Sequence, residues 1–265
     1  MPDGIHLKLF FISIIQNIYI FILKFYPMTL ILLAAAPVAI LIFYIYYRDK
    51  YEKEPIWMLI KAIIAGAIIV IPILFMEQYI SDHVQRYTGE TAAFLNAFGV
   101  AAFTEELFKW LAVILIFFGS RHFNERFDGI VYAAFVSLGF ALVENILYVT
   151  SAQTVQAGYQ IGYMRALTAV PAHALFGVVM GYRFGLAKFL PERRLFNLFM
   201  AFFMPFLLHG IYDFLLMLEK TWALILFFPF IIFLWYFGLV RMKRHSLNSA
   251  FNAFQGRPNS DSSPQ

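Results

Sequence analysis

Apolar residues in this chain form long continuous runs rather than the alternating or one-faced patterns of half-buried strands and helices. Runs of about 20 residues or more are long enough to cross a bilayer as helices. They lie at 28–47, 56–80, 92–118, 129–151, 163–187, 195–218 and 221–240, with short polar segments between them. The pattern predicts an all-α, polytopic integral membrane helical bundle with about seven spanning helices from Met28, forming one membrane domain over 28–244.

Residues 5–26 are also apolar, but Gln16, Asn17 and Lys24 interrupt them and they run into Pro27-Met28 without a polar loop. They are a possible eighth span. The preferred expectation is an extension at 1–27 ahead of a start at Met28. Residues 245–265 are rich in Asn, Ser, Pro and Gln, have little to bury, and are expected to form a disordered cytoplasmic tail.

Composition agrees with this pattern. With 62% hydrophobic and 14% charged residues, the chain is too apolar for a single soluble core. Cytoplasmic loops carry the excess of Lys and Arg. Eleven of these residues fall in alternate segments: Arg48, Lys50 and Lys53; Arg121 and Arg126; Lys188, Arg193 and Arg194; Arg241, Lys243 and Arg244. The opposite loops contain only Arg86 and Lys220. The first span is therefore expected to start outside and the C-terminus to be cytoplasmic. A net charge of +4 follows from this topology and suits anionic lipid headgroups, so no nucleic-acid partner is assigned. With no cysteine, the chain has no thiol nucleophile and no thiolate metal site.

Against this apolar background, ionisable residues at bilayer depth are expensive and mark function. Glu105 and Glu106 stand together in the third run, with Lys109 at i+4 and i+3, where its ammonium can neutralise a carboxylate. The fourth run contributes Glu144 and Asn145, and the fifth His173, just after Pro171. In the sixth, His209 and Asp213 are i,i+4, so the carboxylate can orient the imidazole. Each group has a structural reading as an ion pair or an interhelical hydrogen bond. Their recurrence on four spans at similar depth favours one site. Acids, imidazoles and an amide together suit peptide hydrolysis, with a buried glutamate as base and imidazoles as oxyanion donors. The residues require no cofactor, yet Glu105, Glu106, His173 and His209 could also hold a divalent metal such as zinc. Both mechanisms remain open at this point. There is no H-E-x-x-H and no G-x-S-x-G. An ion-coupled transporter would use similar groups but would show paired halves, which the sequence lacks. A noncatalytic membrane scaffold leaves the polar set without work.

The segments E-E-L-F-K (105–109), E-N-I-L-Y (144–148), H-A-L-F-G (173–177) and H-G-I-Y-D (209–213) resemble those of PrsW-type intramembrane proteases. These belong to the wider CAAX-protease and bacteriocin-immunity group. Y-R-D-K-Y-E-K-E-P (47–55), R-F-D-G-I-V-Y (126–132) and F-L-W-Y-F-G-L (233–239) extend the resemblance across about 28–244. It implies a bacterial cell-membrane peptidase that makes the first cut in a single-pass membrane anti-sigma factor, leading to sigma-factor release. By resemblance, Glu105 is the base and Glu106 its partner, while His173, His209 and Asp213 complete the site. Lys109 stands one position earlier than the arginine of the prenyl proteases, which makes prenylated C-termini a poor substrate expectation.

Overall fold

The computed structural model describes residues 28–248; the expected extension with its possible span at 5–26, and the chain beyond Asn248, lie outside the described residues. Helices account for the described fold, and no strand occurs among those residues. The elements are α1 (Met28–Arg48), α2 (Ile56–Val84), α3 (Gly89–Phe94), a π-helical segment (Leu95–Ala102), α4 (Phe103–Ile116), α5 (Arg126–Thr150), α6 (Val155–Leu167), α7 (Ala169–Phe189), α8 (Arg194–Met217) and α9 (Thr221–Leu247).

Among the described residues, six helical stretches are long and apolar enough to cross a membrane: α1, α2, α5, α6 with α7, α8 with its preceding turn, and α9. The remaining expected pass, 92–118, is a composite of α3, the π segment and α4, 28 helical residues in all. The fifth pass is interrupted too. Pro171 lacks an N–H and its ring crowds the carbonyl four residues earlier. The helix accordingly breaks at Thr168, between α6 and α7.

Helix α5 is the centre of the bundle, with every residue from Phe127 to Ala141 buried. It packs against α7 through glycine. A Cβ on Gly181 would lie 2.1 Å from the Gly129 carbonyl oxygen, and one on Gly129 would lie 2.5 Å from the Gly181 oxygen. Lipid tails are as apolar as side chains, so helix association in a bilayer depends on such close backbone packing. The outer helices instead expose apolar stripes, such as Ile64, Ile68, Ile71 and Phe75 on α2 and Ile225, Phe228 and Ile232 on α9. These faces meet lipid.

Contacts at the two ends show how the passes alternate. At one end, Lys188 Nζ donates to the Phe118 carbonyl at 2.6 Å, Tyr132 donates to Glu54, and Tyr182 stacks on His245. The basic segments thereby gather at that end. At the other, Lys220 pairs with Glu90.

Candidate active site

The four ionisable side chains singled out from the sequence converge. Glu105 and Glu106 come from the first turn of α4, His173 from the first turns of α7, and His209 from α8. One ligand atom from each lies within 4.8 Å of the others, and all four residues are buried. Lys109 Nζ is central to the group, 2.9 Å from Glu105 Oε2, 2.8 Å from Glu106 Oε1 and 3.3 Å from His173 Nδ1. It also leans on the Phe140 ring of α5, 4.2 Å from the centroid.

The environment defines each imidazole. An ammonium only donates, so His173 Nδ1 must accept from Lys109, leaving Nε2 to donate to Glu144 Oε2 at 2.9 Å. Glu144 is held in turn by Arg165 of α6 at 2.6 Å. His209 has carboxylates on both sides, with Nδ1 3.0 Å from Glu106 Oε1 and Nε2 3.3 Å from Asp213 Oδ2. Its ring stacks on Phe176 with centroids 4.9 Å apart. Carboxylates behind the distal ring nitrogens fix ring orientation and raise basicity. His173 Nδ1 and His209 Nδ1 each lie 4.0 Å from Glu105 Oε2. That spacing is too long for a direct hydrogen bond, but an atom lodged between them would touch all three.

A cavity of about 970 Å³ reaches this point and is lined by Glu105, His173 and His209. Its rim includes Gly89, Ser151 and Lys220, all at the end of the bundle opposite the basic segments. Glu105 faces this cavity, whereas Glu106 is fully buried behind it. Asp213 and Glu144 line the cavity too. Asn145 does not join the cluster; it donates to the Ala34 carbonyl of α1 at 2.9 Å and accepts from Arg165. It braces α1 and α6 against α5.

Two lining residues carried no signal in the sequence. Arg165 reads as a stray basic residue on the less basic side, and its pairing with Glu144 emerges only because α6 packs back against α5. Glu77 lies three residues inside the expected 56–80 span, where a carboxylate reads as interfacial. In the structure it lines the cavity near the Thr104 hydroxyl, at 3.4 Å.

Residues 54–240 match the model of the PrsW family of intramembrane metalloproteases. The chain belongs to that family. It is 42% identical over 217 residues to Protease PrsW of Oceanobacillus iheyensis, covering 82% of this chain and 96% of the relative. Identity to Protease PrsW of Bacillus subtilis is 39% over 210 residues, covering 79% and 92%. For the Geobacillus kaustophilus protein of the same name it is 38% over 216 residues, covering 82% and 92%. No solved structure matches the chain. The protein is thus a multi-pass, membrane-embedded peptidase.

The family's description as metalloproteases bears on the choice left open above. Two imidazoles and two carboxylates are ligands that zinc accepts. Glu106 Oε2 is buried without a hydrogen-bond partner, an orphan acceptor that a cation would satisfy. The donor set fits a divalent metal.

Proposed function

We propose that this PrsW-family chain makes the first cut in a single-pass, membrane-anchored anti-sigma factor, leading to sigma-factor release once a second protease has acted on the cut anti-sigma factor. The observation that carries the peptidase part is the convergence of Glu105, His173 and His209 on one cavity from three helices. Glu105 is the general base, because it is the cluster carboxylate that faces the cavity. Its Oε2 takes the proton of a water lodged against the two Nδ1 atoms and returns it to the leaving amine. His209 and the Lys109 ammonium stabilise the developing oxyanion, His173 holds that ammonium through Nδ1, and Glu144 and Asp213 hold the two rings. Glu106 anchors His209 and Lys109. A divalent metal held by Glu105, Glu106, His173 and His209 would supply acidification of that water and polarisation of the scissile carbonyl.

The basic segments favour a cytoplasmic location for one end, which makes the cavity mouth extracytoplasmic. That mouth suits cleavage at or just outside the outer membrane face. The test is co-expression with a tagged anti-sigma factor. A truncated product should appear with the wild-type chain and not with Glu105→Gln at equal protein level. No product with wild type would remove this substrate class, and equal cleavage by the variant would remove the base assignment.

A further inference from the structure

Lys109 is fully buried, and its ammonium bridges three of the four donor atoms a metal would use: Glu105 Oε2, Glu106 Oε1 and His173 Nδ1. Zinc bonds to such atoms are about 2.0–2.2 Å long. An ion bonded to these three atoms would share all its donors with Nζ and lie within about 4 Å of it, given contacts near 3 Å from each donor to Nζ. Two desolvated cations at that separation repel strongly, since a low effective dielectric magnifies Coulomb interactions. The geometry points to Lys109 and a divalent cation as alternative occupants of one donor set, so that loading the metal requires the lysine side chain to withdraw.

The arrangement has a physical logic. Glu105 and Glu106 are adjacent buried carboxylates, and an uncompensated buried charge is strongly destabilising. Lys109 is the cation that keeps them close and aligned. It thereby preserves the donor geometry while lowering affinity for a metal. A withdrawn ammonium would not be stranded in lipid, because Glu77 and Glu144 line the adjoining cavity.

The inference concerns ion occupancy alone and survives failure of the anti-sigma-factor reading, just as that reading survives failure here. The experiment uses the full chain purified in detergent, stripped with chelator and titrated with Co2+ at fixed pH, following the visible absorption of the bound ion. Removing the competing charge should make Lys109→Met bind Co2+ at least about tenfold more tightly than wild type. Lys109→Arg retains the charge and should bind no more tightly than wild type. Should Lys109→Met be unstable after stripping, melting provides the second measurement: Co2+ should raise its melting temperature by more than it raises that of wild type. Equal or weaker Co2+ binding by Lys109→Met, or absence of this selective stabilisation, overturns the proposal.

Discussion

At the residue scale, the site consists of acid–imidazole pairs around an ammonium, and the pairs differ in what they face. Glu105 faces the cavity, while Glu144 stands behind His173 and is tied to Arg165. Glu105→Gln keeps volume and removes the proposed base, so cleavage should fall by about 10²–10⁴-fold with unchanged protein level. Because residues acting as a unit are strongly non-additive, adding His209→Ala to that variant should cost little more. A full multiplicative loss in the double variant would show that the two act separately. Glu144→Gln should be milder, because it disturbs the orientation of His173 and leaves the base in place; cleavage as low as that of Glu105→Gln would move Glu144 into the chemistry. The sequence revealed these groups because charge at bilayer depth is rare and helical spacing relates Glu105 to Lys109 and His209 to Asp213. It could not reveal Arg165 or Glu77. Their contribution depends on how α6 packs against α5 and which side of α2 meets the cavity, and both are tertiary facts.

At the element scale, the long apolar runs emerged as helices because a bilayer leaves the backbone no partner but itself. The interruptions within those runs were less legible. The π segment at Leu95–Ala102 includes Asn96 and Gly99, but such residues also occur within α-helices and do not by themselves mark a change of helix type, yet it leads directly into the turn bearing Glu105 and Glu106, and such segments are common at functional sites. The α5–α7 crossing places His173 near Glu144, and it depends on Gly129 and Gly181. Gly181→Ala should destabilise the bundle by about 1–3 kcal/mol, since its methyl group would meet backbone. Gly99→Ala, where the added carbon meets open space, should be near neutral. Equal melting of the two in detergent would contradict the close-packing account. The turn between α1 and α2 gives a separate, pH-linked effect. Burial, aided by the nearby Glu125 carboxylate, pushes Asp49 up to about 7, and burial does the same for Glu54. Their ordinary values are 3.8 and 4.5, so between there and about 7 the folded chain holds more protons than the unfolded one. Stability from this source is greatest below that window and is lost as pH rises through it. Melting should therefore be lower at alkaline than at mildly acidic pH, and Asp49→Asn should reduce the difference; an unchanged pH slope in that variant would exclude Asp49 as its source.

At the scale of the whole molecule, charge asymmetry and cavity position combine into one prediction. Interhelical contacts gather the turn after α1, the segment before α5, the end of α7 and the end of α9 at one end of the bundle. Those are the segments in which Lys and Arg concentrate, although the loop-charge pattern uses no information about contacts. Two independent features thus define the same end, and the cavity opens at the other, beside Gly89, Ser151 and Lys220. If positive charge marks the cytoplasmic side, a water-requiring reaction at Glu105 draws both water and substrate from the extracytoplasmic side. Alkaline phosphatase fused after Ser151 or Glu219 should be active, and fused after Arg121, Arg193 or Arg244 inactive. Activity after Arg244 would invert the bundle and place the cavity mouth in the cytoplasm. The Glu/His cluster would remain intact, but cleavage would then have to occur on the inner face, and an extracytoplasmic first cut by this chain would be excluded.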